Sequence, residues 1–195
     1  LNLNILFEDD DIIIINKPPG LVTHPGAGNW SGTLANALLY YDSNLSNIDR
    51  AGIVHRLDKN TSGLMVVAKN IKSQKFLVEQ LQTHSVEREY SAIVYGHMIS
   101  GGTINEPIGR DSKDRVKQTV MANGKEAITH YRTIDRFKSH THVKAILETG
   151  RTHQIRVHLS YLGHPLIGDP TYGGRVRFPK KASQELKDGL INCQR

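Results

Sequence analysis

The sequence HRLDKNTSGLMVVAK, residues 55–69, joins a polar loop to an apolar run, and this junction decides the fold. Leu64 to Ala68 has the length and β-branched composition of a buried strand, and Ile53 to His55 is also strand-like. The loop from Arg56 to Gly63 therefore lies between two strands. It carries one carboxylate, Asp58, and loops held by rigid strands are common places for functional residues.

The rest of the chain alternates short strands with a few helices. Apolar runs at Ile5–Phe7 and Ile12–Asn16 predict two strands, the second buried on both faces. Helical spacing predicts one helix beginning near Thr33, a second over Ser73–His84 with an apolar edge at Phe76, Leu77, Gln80 and Leu81, and a third over Gln154–Leu162. Further strands are predicted at 90–95, 117–121, 127–134 and 142–147, with Asn123-Gly124 as a hairpin turn. The pattern indicates an α+β fold whose second half is mainly antiparallel sheet.

Composition bounds the class of protein. The 195 residues are 38% hydrophobic and 23% charged, which suits one compact domain with a core. The sequence contains no long apolar stretch, no signal-peptide pattern and no cysteine besides Cys193. We therefore expect a soluble cytoplasmic protein without disulfides.

Charge is distributed unevenly. The net charge is +6, but residues 1–50 contain two basic and six acidic residues (−4), whereas the remainder contains 23 basic and 13 acidic residues (+10). The basic part either faces a polyanion or is an ordinary lysine-rich surface, and charge alone does not choose between these readings.

Two polar segments could carry chemistry. Arg56 and Lys59 flank Asp58 and favour its ionised form, which suits a nucleophile or an electrostatic stabiliser; the alternative is an aspartate that caps a turn. The segment TGRTHQIRVH, residues 149–158, contains Arg156, which would need a carboxylate partner such as Asp58 if it is largely buried, or would otherwise bind a phosphate at the surface.

Six histidines in the last third of the chain raise the possibility of a metal site. Their spacing does not fit one, because His153 and His158 are five residues apart and no helical glutamate accompanies them. The six are His130, His140, His142, His153, His158 and His164. We therefore do not expect a metal site among these histidines.

Three motifs with the Asp58 loop resemble one enzyme family. NKPPGLVTHPG (16–26), REYSAIVYGH (88–97) and ETGRTHQIRVHLSYLGHPLIGDPTYGG (148–174), in this order around HRLDKNTSGL, resemble the RluA family of pseudouridine synthases. The likeness is greatest to the RluD-type branch, which modifies large-subunit ribosomal RNA. It implies a mixed, largely antiparallel central sheet with flanking helices and a catalytic cleft, and no cofactor or metal.

The resemblance also implies residue roles. Asp58 matches the catalytic aspartate, Tyr90 the active-site tyrosine and Arg156 the basic residue that pairs with the aspartate. Arg56 matches the arginine that fills the space left by the flipped base, while Leu57 helps to hold the loop. We expect further RNA contacts from His55, Lys59, Lys113, Arg115, Lys117, Arg151 and His153, and from residues 175–181.

The same resemblance suggests how the chain is organised and what the alternatives are. Residues 1–195 are expected to form the catalytic domain of a monomeric enzyme, without the S4-like domain and the final strands that family members carry. The partner expected is ribosomal RNA. Alternatives are a synthase acting on transfer RNA, a catalytically silent RNA-binding domain and, less favoured, a histidine–metal hydrolase.

Overall fold

The computed structural model describes residues 2–26, 28–174 and 183. The chain divides after Ser85 into two compact units, which are described separately. Its helices in this described part are all too short or too polar to span a bilayer.

The first unit is built on a three-stranded antiparallel sheet in the order β1-β2-β3. Its elements are β1 (Ile5–Glu8), β2 (Ile12–Lys17), α1 (Leu34–Tyr41), 3-10 helices at Ser43–Asn47 and Asp49–Gly52, β3 (Gly63–Ala68) and α2 (Ile71–Gln82). In the β2–β3 register Lys17 lies opposite Gly63, so the end of β2 adjoins the end of the Asp58 loop. The expectation that β2 is buried on both faces is wrong: alternate residues, Ile13, Ile15 and Lys17, are buried, and those between them are partly exposed.

Local capping explains where the two helices begin. Thr33 caps α1 through a reciprocal capping box with Asn36, which confirms the predicted start of this helix. Asn70 caps α2 in the same way with Ser73, so the helix begins at Ile71, two residues before the predicted start. Of the predicted apolar edge of α2, Leu77, Gln80 and Leu81 are half-buried, whereas Phe76 is 58% exposed. The buried residue of this helix is Ser73.

The 3-10 helices were not predicted, because their sequence has no apolar periodicity. Arg50 and Ala51 have φ values of 54° and 53°, a left-handed conformation that local propensity does not favour. At Gly52 the backbone passes so close to β3 that an added Cβ would lie 1.9 Å from the Ala68 carbonyl oxygen. Tertiary packing therefore requires glycine here.

The second unit contains a four-stranded sheet in the order β4-β9-β8-β5 and a two-stranded sheet, β6-β7. The elements are β4 (Glu89–Tyr95), β5 (Gly102–Asn105), β6 (Ile108–Arg110), β7 (Gln118–Val120), β8 (Ile128–Arg136), β9 (His140–Leu147) and α3 (Gln154–Tyr161). Every strand pair in the described residues is antiparallel, which confirms the predicted α+β, largely antiparallel class. Helix α3 places Leu159 in a core formed with Ala92, Val94 and Val143.

The predicted Asn123-Gly124 hairpin is wrong in its partners. A turn is present, since the Gly124 N–H donates to the Met121 carbonyl oxygen at 2.9 Å. It does not join β7 to β8, because β7 pairs with β6 and β8 pairs with β5 and β9. Gly124 is needed for close approach instead: an added Cβ would lie 2.6 Å from the carbonyl carbon of Ile108.

Candidate active site

Asp58 lies on a tight turn just before β3. The Asp58 carbonyl oxygen accepts a hydrogen bond from the Thr61 N–H at 3.0 Å, which closes the turn. Asp58 itself is half-buried, between buried Leu57 and exposed Lys59, and Arg56 is exposed. The loop therefore anchors itself through Leu57 and turns its cationic residues towards solvent.

Three hydrogen bonds connect this turn to the last residue of β2 and to the segment that follows it. The Thr23 hydroxyl donates to the Leu57 carbonyl oxygen at 3.1 Å. The Gly20 N–H and the Lys17 ammonium both donate to the Lys59 carbonyl oxygen, at 2.8 and 3.1 Å. The backbone is thus held immediately before and immediately after Asp58.

Lys17 is a site residue that sequence reasoning missed. Its side chain is 0% exposed, and the ammonium also donates to the carbonyl oxygens of Pro18 at 3.0 Å and Leu21 at 2.9 Å. Burial lowers the pKa of Lys17 to about 8, while the negative charge of Asp58 acts in the opposite direction. The available signal was the position of Lys17 at the end of a predicted strand, directly before two prolines.

His24 is a second missed residue near the loop. Burial, followed by the charges of Arg50 and Arg56, lowers its pKa below the ordinary value of 6.5. The imidazole is therefore mainly neutral at pH 7 and can accept or donate a hydrogen bond beside Arg56 without adding charge.

His55 anchors the start of the loop. Its Nε2 accepts a hydrogen bond from the Val66 N–H in β3 at 3.1 Å, which requires the proton to be on Nδ1 in the neutral ring. This bond gives His55 a structural task; its predicted RNA contact stays a prediction.

In the second unit, Arg156 on α3 forms a bidentate ion pair with Asp169. Its Nε and Nη2 donate to the two carboxylate oxygens at 2.8 and 3.0 Å, and the Asp169 side chain is fully buried. Burial alone would raise the pKa of Asp169, but Arg156 and the N–H groups of Tyr172 and Thr171 outweigh it and lower the pKa. Asp169 is thus a carboxylate partner of the largely buried Arg156, and sequence reasoning missed it. The expected pairing of Arg156 with Asp58 stays a prediction.

Tyr172 connects Arg156 to the turn before α3. Its ring lies 5.0 Å from the Arg156 guanidinium carbon, and its hydroxyl is 2.8 Å from His153 Nδ1. His153, the N-cap residue directly before α3, has a left-handed conformation, and Arg151 Nε donates to the Glu126 carbonyl oxygen at 2.8 Å. His153 and Arg151, both predicted RNA contacts, are therefore also structural residues of this turn.

Tyr90 is the second residue of β4, half-buried and opposite Ala145 of β9. Arg88 precedes it and donates to the carbonyl oxygen of Glu148 at 2.6 Å. Burial lowers the pKa of the Arg88 guanidinium, while the electrostatic interaction with Tyr90 raises this pKa by a smaller amount.

The basic loop between β6 and β7 is shaped by its own aspartates. Asp111 accepts the N–H groups of Lys113 and Asp114, and the Lys117 ammonium lies 3.8 Å from the Asp114 carboxylate. Lys113 and Arg115 are exposed. The RNA contacts expected from this loop stay a prediction, and residues 175–181, which were also expected to contact RNA, lie outside the described residues.

The clustered histidines are used separately. His158 is fully buried and bonded to Thr129 and the Glu106 carbonyl oxygen, and burial lowers its pKa. His142 contacts Ser91 and Asp135. Across residues 2–26, 28–174 and 183, no three His, Cys, Asp or Glu side chains form a group able to hold a metal ion.

The described residues form an antiparallel α+β fold in which the Asp58 turn, just before β3, is hydrogen-bonded to the end of β2. Residues 11–161 of the chain match the family model of RNA pseudouridylate synthases. The chain belongs to this family.

Among curated proteins, it is 58% identical over 190 residues to the ribosomal large subunit pseudouridine synthase D of Pseudomonas aeruginosa, an alignment that covers 97% of this chain and 59% of that protein. It is 57% identical over 193 residues to the protein of the same name from Escherichia coli K12, covering 99% of this chain and 59% of the relative. The chain thus spans about three fifths of the length of the curated relatives it matches.

Solved structures show the same fold. The human RNA pseudouridylate synthase domain-containing protein 1 superposes with a TM-score of 0.72 at 30% identity, covering 88% of this chain and 70% of that one. The human domain-containing protein 4 superposes with a TM-score of 0.70 at 28% identity, covering 96% and 78%.

Proposed function

We propose that the protein isomerises specific uridines to pseudouridine in large-subunit ribosomal RNA, with Asp58 as the catalytic carboxylate. The observation that carries the proposal is the Asp58 turn itself, whose backbone is held by Thr23, Gly20 and Lys17 in a chain of the RNA pseudouridylate synthase family. The names of the most similar relatives support ribosomal RNA as the substrate.

The reaction must break the bond between ribose C1′ and uracil N1, turn the base while it stays bound, and join C1′ to C5. The C5 proton then leaves and N1 gains one, so no atoms are added or lost. A single ionised carboxylate suits this chemistry, because it can attack carbon or stabilise positive charge on the sugar, whereas a paired acid would favour hydrolysis. Asp58 is proposed for this role, and Tyr90 for stacking on the base and accepting the C5 proton.

RNA binding is assigned to the exposed cations. A base inside a stem has to be flipped out before it can react, at a cost of a few kcal/mol, and exposed Arg56 is proposed to fill the vacated space. Lys59, Lys113 and Arg115 are proposed to contact phosphates. The pairing of Arg156 with the catalytic carboxylate stays a prediction.

Asp58→Asn tests the proposal, with Asp10→Asn as a matched control on an exposed turn of the same unit. Each protein is incubated with a 23S ribosomal RNA transcript and with transfer RNA transcripts, and pseudouridine is measured by nucleoside chromatography. We expect product from ribosomal RNA with the wild type and the control, and none with Asp58→Asn, while RNA affinity changes little.

The other outcomes separate the alternatives. Product from Asp58→Asn at the wild-type rate contradicts the role of Asp58. Binding without product in the wild type indicates an RNA-binding domain, and product only from transfer RNA replaces the substrate. Tyr90→Phe should bind RNA normally but turn over slowly; turnover at full speed would remove Tyr90 from the proton transfer.

A further inference from the structure

Lys17 is a fully buried lysine whose ammonium is saturated by carbonyl oxygens. Its three N–H groups meet three acceptors: Pro18 at 3.0 Å, Leu21 at 2.9 Å and Lys59 at 3.1 Å. A neutral amine has only two N–H groups, and its lone pair would point at the third carbonyl oxygen. This geometry is complete only when Lys17 carries its proton.

The three carbonyl oxygens come from two separate segments. Pro18 and Leu21 belong to the segment after β2, and Lys59 directly follows Asp58, 42 residues from Lys17 along the chain. The Lys17 side chain therefore ties the Asp58 turn to the end of a sheet strand, a rigid element.

Charge adds to this tether. The carboxylate of Asp58 is the charged group whose field acts on Lys17, against the effect of burial. The neighbouring Thr23–Leu57 bond holds the other side of the turn without any charge.

We propose that Lys17 is a positioning residue for Asp58: its protonated side chain holds the Leu57–Lys59 turn in the reactive arrangement, and loss of that proton releases it. The inference rests on the proposed function in taking Asp58 as the reacting carboxylate. Lys17 does not itself touch the RNA, since it is fully buried.

Two variants test the inference against a matched control. Lys17→Met removes the charge while keeping an unbranched side chain, Lys17→Arg keeps a charge at every pH, and Thr23→Val removes the neutral tether to the same turn. For each protein kcat and KM are measured on the ribosomal RNA transcript between about pH 6.5 and pH 9, and folding is followed by thermal melting with circular dichroism.

The expected results are specific to a positioning role. Because burial sets the pKa of Lys17 to about 8, kcat of the wild type should fall as the pH rises through that value. Lys17→Met should lower kcat on the order of 10- to 100-fold with KM within about threefold of wild type, and its activity should no longer fall near pH 8. Thr23→Val should keep the alkaline fall, and Lys17→Arg should lose it.

As the pH rises, the free energy of unfolding should change in the opposite direction to kcat. The folded pKa of Lys17 lies below its ordinary value of 10.5, so the unfolded chain binds more protons between about pH 8 and pH 10.5. Stability contributed by this group therefore rises with pH over the range in which activity falls. An alkaline fall in activity that accompanies rising stability cannot be caused by unfolding, and the Lys17→Arg variant tests whether Lys17 causes that fall if Lys17→Met does not fold.

Three results overturn the inference. They are an unchanged kcat in a folded Lys17→Met variant, an alkaline fall that persists in Lys17→Arg, and wild-type activity that does not fall near pH 8. Each leaves the proposed function intact as long as the wild type forms pseudouridine and Asp58→Asn does not. A wild type without product contradicts the proposed function instead.

Discussion

Removing one partner of the buried ion pair between Arg156 and Asp169 should strongly destabilise the second unit. Asp169→Asn keeps the side-chain oxygen that accepts the N–H groups of Thr171 and Tyr172, but removes the charge opposite Arg156. The Arg156 side chain is only 17% exposed, and it would lose the buried carboxylate that accepts two of its N–H groups. Breaking one side of such a pair costs about 3–5 kcal/mol, and we expect that loss in the free energy of unfolding.

Urea unfolding followed by far-ultraviolet circular dichroism measures this loss. Asp49→Asn is the control, because its pair with Arg50 spans 3.8 Å between side chains 83% and 70% exposed, and it should cost under about 1 kcal/mol. Asp169→Ala should be worse than Asp169→Asn by about 1–2 kcal/mol, since two backbone N–H groups lose their acceptor. A loss for Asp169→Asn no larger than that of the control would refute the reasoning.

The pH dependence supplies an independent check of the sign. The folded pKa of Asp169 lies below its ordinary value of 3.8, so its stabilising contribution is fully present above that value and disappears as the pH falls through the folded pKa. The difference in unfolding free energy between wild type and Asp169→Asn should therefore be constant from about pH 7 to pH 5 and should narrow below about pH 4. A difference that widens in acid would contradict the assignment.

Two further predictions concern backbone packing and RNA binding. Gly52→Ala should lower the free energy of unfolding by about 3 kcal/mol or more, because the new Cβ would lie 1.9 Å from the Ala68 carbonyl oxygen. Gly28→Ala is the control, since Gly28 has a similar positive φ but open space around it, and it should cost only about 1–2 kcal/mol. Equal losses for the two variants in thermal or urea unfolding would contradict the steric explanation. Lys113→Gln combined with Arg115→Gln should weaken binding of all RNA sequences alike and reduce the slope of log affinity against log salt by about 1–2. A slope that stays the same in fluorescence-anisotropy titrations would exclude this loop from the RNA interface.

Secondary structure followed from the sequence wherever local chemistry decided it. The start of α1 at Thr33 was predictable because a threonine before helically spaced leucines offers a capping oxygen. The Asp58 loop was predictable because polar turn residues separate two apolar runs. The partners of β7 were not, because Asn-Gly is also compatible with a turn that only brings Gly124 against the backbone of Ile108.

The sequence by itself determined the family, the largely antiparallel α+β class and the candidate carboxylate at Asp58, since these depend on local motifs and their order. Only the tertiary structure decided which charges are buried and what satisfies them. Lys17 is separated along the chain by 42 residues from Lys59, whose carbonyl oxygen it binds. Asp169 is separated by 13 residues from Arg156 and follows the end of α3. The free energy of a buried charge depends on the donors and acceptors that surround it in space, and neither composition nor periodicity specifies which distant backbone groups those will be.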